Sequence, residues 1–170
     1  VTMWGTIWNM KEEKKYSISH PNLYPTVAIL DGRLTLSLPM DISITTTMDA
    51  LSHSFESIWN KKANDTSTDL AISAICSILK NGSTLKENPK NLEVRNNLLK
   101  ASTVAGLAFS NTTTAAAHSI SYPLTIHHGI PHGVASSISL LPLLDINGPL
   151  IKKPLDRICK NNELTYDELK

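Results

Sequence analysis

The chain has 170 residues, of which 41% are hydrophobic and 18% charged, with a formal net charge of +1. That length and balance suit one domain with a core of its own. The near-neutral charge argues against nucleic acid or an anionic membrane as partner, and an aromatic content of 5% argues against base-stacking platforms.

Residues 1–38 read as short strands and turns. Thr6-Ile7-Trp8, Tyr16-Ser17-Ile18 and Thr26-Val27-Ala28-Ile29-Leu30 are β-leaning runs separated by charged or Pro/Asn-containing turns. Leu34 to Leu38 extends them by one more piece, ended by Pro39. Helical texture begins near residue 40. Asp41 caps a first short helix, and the β-branched run Ile44-Thr45-Thr46-Thr47 predicts a break. A second helix is expected from about Met48 to Asn60, with Leu51, Phe55, Ile58 and Trp59 near helical spacing.

Ser67 or Thr68 is the expected cap of the next helix, and Asn81-Gly82 its end. Further helices are expected over about Leu92 to Ser110, Thr113 to Tyr122 (stopped by Pro123), and Pro131 to Leu144. Two weaker ones follow near Leu155 to Lys160 and from Thr165. The expected fold is mainly α, a helical bundle with short N-terminal β-segments. Cys76 and Cys159 are far apart and form no Cys-x-x-Cys pattern, so a reducing cytoplasm is the expected setting. No apolar run reaches the ~20 residues of a membrane span, and no membrane partner is expected.

Two stretches carry chemistry. In Asp49-Ala-Leu-Ser-His53 a carboxylate and an imidazole sit at i and i+4, one turn apart on a helix face, where they can grip one metal ion. Alone, the pair also reads as a capping aspartate and a surface histidine. The second stretch runs from His118 to Gly133 and holds four of the six histidines: His118, His127, His128 and His132. His118 follows Ala115-Ala116-Ala117 on a tightly packed face, where a hydrogen-bonded core histidine is the plain alternative. His132 sits at an expected helix start, where the dipole favours the neutral imidazole that binds metals. One carboxylate with three histidines suits Fe²⁺ or Zn²⁺ rather than Mg²⁺ or Ca²⁺.

The stretch Met48 to Glu56 resembles the Asp-Ala-Leu-x-His-x-x-Glu signature of iron-containing (group III) alcohol dehydrogenases. Ala117-His118 through Pro131-His132-Gly133 resembles that family's second metal signature. Ala105-Gly106-Leu107-Ala108-Phe109-Ser110-Asn111 is similar to its Ala-Gly-x-Ala-Phe-x-Asn helix, and Val1-Thr2 and Lys15-Tyr16-Ser17-Ile18 to its strand segments. Within the family, Ile58-Trp59-Asn60-Lys61, Ser119 to Thr125 and Gly129-Ile130-Pro131-His132-Gly133 resemble the phosphonoacetaldehyde reductase branch.

The resemblance implies a dehydroquinate synthase-like C-terminal helical domain over residues 39–170. Residues 1–38 would be strands at the junction with a nucleotide-binding half. It implies Asp49, His53, His118 and His132 as ligands of Fe²⁺ or Zn²⁺, and hydride transfer between NAD(P)H and a small aldehyde or alcohol. Lys15 and Thr2 are implied dinucleotide contacts, although Lys15 also reads as one of a solvated charge run, Lys11 to Lys15. Tyr122 stands where many relatives have a proton-relaying histidine. It relays a proton, shapes the pocket, or packs in the core with its hydroxyl tied to backbone.

Glu56 reads as a partner orienting a ligand or as a surface carboxylate. His127 and His128 read as contacts for an anionic substrate or as a solvated loop. Thr47 replaces a glycine common before the Asp49 motif. No Gly-rich phosphate loop occurs, so the expectation is a fragment lacking its nucleotide-binding half and inactive alone. A possible homodimer follows from the same resemblance. The competing readings are a non-catalytic helical metal-binding domain and a zinc glycerol dehydrogenase-like enzyme.

Overall fold

A computed structural model describes residues 2–170; Val1 and its part in the Val1-Thr2 motif lie outside them. Strands β1 (Trp4–Asn9) and β2 (Lys14–Ser19) pair antiparallel, with Trp4 opposite Ser19, Thr6 opposite Ser17 and Trp8 opposite Lys15. Strand alternation puts Trp4, Thr6, Trp8, Lys15 and Ser17 on one face. Eight helices follow: α1 (Met40–Trp59), α2 (Asp65–Glu87), α3 (Leu92–Thr112), α4 (Ala116–His128), α5 (His132–Ser137), α6 (Leu140–Asn147), α7 (Lys152–Asn162) and α8 (Tyr166–Leu169). The mainly helical expectation holds. No single helix among the described residues is long and apolar enough to cross a membrane.

Several expected boundaries move, each for a local reason. Thr26–Leu30 forms no strand: among the described residues the sheet has only two strands, and Val27 and Ile29 lie exposed. Gly32–Thr35 is a 3-10 turn rather than an extended piece. Helix α1 runs unbroken through Thr47. The threonine hydroxyls there turn back onto the preceding turn, Thr46 to the Ile42 carbonyl at 2.8 Å and Thr47 to that of Ser43 at 2.7 Å. They are accommodated inside the helix rather than competing with it.

Asn64 caps α2 in a reciprocal capping box with Ser67. The helix continues past Gly82 to Glu87 and stops where Asn88 precedes Pro89, a residue pair that disfavours the α conformation. Helix α4 continues through Pro123 to Gly129, whose positive φ of 65° closes it. The proline removes one amide donor from the helix without ending it. The expected helix from Pro131 to Leu144 is two helices. Pro142 is the third residue of α6, in the first turn, where a missing N–H costs nothing.

The bundle buries one apolar cluster built on Phe55, Ile72, Ile75, Leu144, Leu155 and Ile158, joining α1, α2, α6 and α7. A second, of Ala50, Ala74, Ile78, Ala101 and Ala105, lets α1, α2 and α3 approach closely. Arg95 at the start of α3 is buried and donates to Ser43 Oγ (2.6 Å) and to the Pro89 carbonyl (2.8 Å), tying α3 to the head of α1. Together these contacts hold α1 centrally, with α4 and α5 against its middle turns.

Candidate metal centre

Helix α1 presents Asp49 and His53 one turn apart, α4 presents His118 two residues after its start, and α5 opens on His132. Their tips converge. Asp49 Oδ1 is 3.4 Å from His118 Nε2 and 3.6 Å from His132 Nε2, and Asp49 Oδ2 is 3.4 Å from His53 Nε2. One ligand atom each from Asp49, His118 and His132 fit within 4.8 Å of one another. The His53 ring is sandwiched between His118 (4.2 Å between centroids) and Phe109 (4.3 Å).

The separations among Asp49, His118 and His132 fit a shared cation, while His53 meets Asp49 through its other oxygen and stands outside that group of three. Nitrogen and oxygen ligands at roughly 2.0–2.2 Å from one tetrahedral ion stand about 3.3–3.6 Å apart. A second observation agrees. His118 Nε2 is buried without a hydrogen-bond partner, since its 3.4 Å approach to Asp49 is long for one. Its other nitrogen, Nδ1, is 2.6 Å from Glu56 Oε2. A proton held on Nδ1 leaves the Nε2 lone pair aimed at the cluster.

Glu56 is therefore no surface carboxylate. It is fully buried, and its Oε1 accepts the backbone N–H groups of Ala117 (2.6 Å) and His118 (3.2 Å). One side chain of α1 thus caps the first turn of α4 and orients the histidine that turn carries. Ser136, one turn after His132 on α5, donates to Asp49 Oδ1 at 3.1 Å. Gly133 makes the approach of α5 possible, because a Cβ there would lie 1.8 Å from the Thr45 carbonyl oxygen of α1.

Charge states follow from this packing. Burial alone would raise the Asp49 carboxyl, but His118 and His53 beside it hold it well below the usual carboxylate range. Burial likewise opposes charge on His118, yet Asp49 and Glu56 outweigh it and push this imidazole up to about 9. Burial lowers His132, aided by the neighbouring His118, His53 and Lys15 and opposed by Asp49.

The cluster opens into a cavity of about 340 Å³, lined besides by Phe109, Thr113, Thr114, Tyr122 and the hairpin face with Thr2, Trp4, Thr6, Trp8, Lys15 and Ser17. Lys15 is half-buried rather than part of a fully exposed run, and its Nζ lies 3.5 Å from the centroid of the Tyr122 ring. Tyr122 stacks parallel to His132 at 6.3 Å. Thr2, Lys15 and Tyr122 thus share one cavity with the four ligand candidates. His127 and His128 do not line it. They end α4 in exposed positions, with His127 Nδ1 3.4 Å from Glu13.

Trp8 and Ser136 escaped the sequence reading. Strand alternation with Lys15 and helical spacing from His132 were the signals that could have found them.

A carboxylate and histidines that converge beside a cavity on a helical domain can hold one divalent cation next to a small molecule. Residues 43–166 match the C-terminal part of the Fe-containing alcohol dehydrogenase family, and the chain belongs to that family. It is 35% identical over 142 residues to 1,3-propanediol dehydrogenase of Citrobacter freundii, covering 84% of this chain and 36% of that one. Among solved structures it is similar to sulfoacetaldehyde reductase of Bifidobacterium kashiwanohense in complex with NAD+, with a TM-score of 0.82 and 31% identity over 99% of this chain and 52% of that one. An iron-containing alcohol dehydrogenase of Thermotoga maritima gives a TM-score of 0.83 and 31% identity over 95% of this chain and 44% of that one. The chain thus spans about half or less of the relatives it matches.

Proposed function

We propose that this chain is the metal-binding part, residues 39–170 with the residue 1–38 strands at its junction, of an NAD(P)H-dependent aldehyde reductase. The observation that carries this reading is the opening of the Asp49-His53-His118-His132 cluster into a cavity, as a catalytic rather than a closed structural site requires. Those four residues hold Fe²⁺ or Zn²⁺. When bound, the ion would supply Lewis acidity toward a carbonyl oxygen in the cavity, and the nicotinamide would supply the hydride.

The chain's own residues do the rest. Glu56 keeps the proton on His118 Nδ1, so that Nε2 is the ligating atom. Tyr122 gives its hydroxyl proton to the substrate oxygen. Thr2 and Lys15, on the hairpin side of the cavity, contact the dinucleotide. The substrate is a small aldehyde, with phosphonoacetaldehyde, reduced to 2-hydroxyethylphosphonate, as the specific candidate. The Lys15 ammonium in the cavity and the similarity to a sulfoacetaldehyde reductase both support an anionic substrate. A cytoplasmic homodimer is the proposed setting.

Elemental analysis of the protein beside a His118→Ala/His132→Ala double variant tests the centre. About one equivalent of iron or zinc, lost in the variant, is expected. Equal metal in both removes the assignment. Oxidation of NADH on adding phosphonoacetaldehyde then tests the substrate.

A further inference from the structure

The cluster accounts for one wall of the cavity; the wall facing it is the hairpin. The hairpin sends two indoles there, Trp4 and Trp8, and Trp8 is the one that packs beside His132 and Tyr122. Its ring centroid is 5.7 Å from that of His132 and 6.0 Å from that of Tyr122, the second at an edge-to-face angle of 63°. Those separations are within the range of packed aromatic rings. Lys15, the cross-strand partner of Trp8, covers the Tyr122 face at 3.5 Å and closes the same side. On the side of His132 and Tyr122, a carbonyl substrate at the cluster meets Trp8; the rest of the cavity runs beside Phe109, Thr113 and Thr114 and along the hairpin.

We propose that Trp8 is a specificity-determining residue, whose indole limits the length of the carbon chain that the site accepts. The inference rests on the reading of the chain as part of an aldehyde reductase. Its chemistry is steric: a short aldehyde lies beneath the indole, and a longer unbranched one meets it. Trp8 sits on a two-stranded hairpin rather than in the helical core, so the wall can be altered without opening the bundle.

The test uses the Zn²⁺-loaded protein, with Trp8→Ala and Trp8→Phe beside it. Circular dichroism and metal content establish that each is folded and loaded. Propanamide and hexanamide, which resemble aldehydes and cannot be reduced, are titrated calorimetrically. The ratio of kcat/KM for propanal and hexanal with NADH is measured in parallel on the same variants joined to the nucleotide-binding half. Wild type is expected to favour the three-carbon ligand, and Trp8→Ala to shift both ratios toward six carbons by about tenfold or more, the scale on which a pocket discriminates a methylene. Trp8→Phe, which stays folded if the alanine variant does not, is expected to fall between.

Unchanged amide ratios in folded, metal-loaded variants overturn the inference. Absence of aldehyde reduction by the wild-type domain joined to its nucleotide-binding half, with the amide ratios shifted as expected, overturns the reductase reading and leaves Trp8 as the wall of the site.

Discussion

Glu56 Oε2 lies 2.6 Å from His118 Nδ1, inside the protein and out of reach of water. That one contact joins the candidate metal centre to the folding of α4, because the other oxygen of the same carboxylate caps the helix. Glu56→Gln keeps an oxygen for the α4 amides and loses the charge facing His118. Zinc affinity is expected to fall roughly 10- to 100-fold, the usual effect of removing such an orienting partner. Glu56→Ala is expected to lose in addition about 1–3 kcal/mol of stability, since buried amides are left unpaired. Metal titration and urea unfolding of both variants check this; equal affinity in wild type and Glu56→Gln would sink it.

The metal-free centre is expected to depend on pH in both directions. His118 is raised to about 9, so its contribution to stability is complete below its ordinary value near 6.5 and is lost as pH rises through 9. Asp49 and Glu56 are lowered, so theirs is present above the ordinary carboxylate range and is lost as pH falls below it. Zinc takes the place of the His118 proton. Loading at pH 7 should therefore release about one proton per ion, seen as a buffer-dependent binding enthalpy, and should flatten the alkaline decline. A binding enthalpy that is the same in phosphate and Tris contradicts the proton count.

Gly133→Ala places a methyl group against the Thr45 carbonyl. Helix α5 must then move off α1, carrying His132 and Ser136 away from Asp49. The expected loss is about 1–3 kcal/mol of stability, with weaker zinc binding. A variant with wild-type melting temperature and affinity refutes the close approach.

Thr113 ends α3 with φ 69° and ψ 174°, backbone in which a β-branched residue is strained. The strain of roughly 1–3 kcal/mol exceeds the ~0.5–1 kcal/mol entropic cost of glycine. Thr113→Gly should therefore stabilise the protein by about 1 kcal/mol. Thermal unfolding reads the sign, and a lower melting temperature goes against it.

Tyr122→Phe removes the hydroxyl proposed to deliver the proton and leaves the ring under Lys15. Aldehyde reduction is expected to fall about 10²- to 10⁴-fold, with metal content unchanged. Activity within a factor of two of wild type would reduce Tyr122 to a wall of the pocket.

The sequence by itself determined the helical character and singled out the candidate ligands and their pairing in chain order. These are local properties: the i, i+4 spacing of Asp49 and His53, the apolar periodicity of the long helices, the proline and glycine around His132. It misjudged α1 at Thr47 and α4 at Pro123, because propensity is weak against hydroxyl bonding to the preceding turn and against packing. Only the tertiary structure decided that Glu56 is buried, that Ser136 reaches Asp49, and that Trp8 and Lys15 roof the cluster. Each is a contact between residues more than 60 positions apart. Such contacts depend on how close the helices come, which a missing Cβ at Gly133 and the alanines between α1, α2 and α3 set through volume rather than sequence pattern.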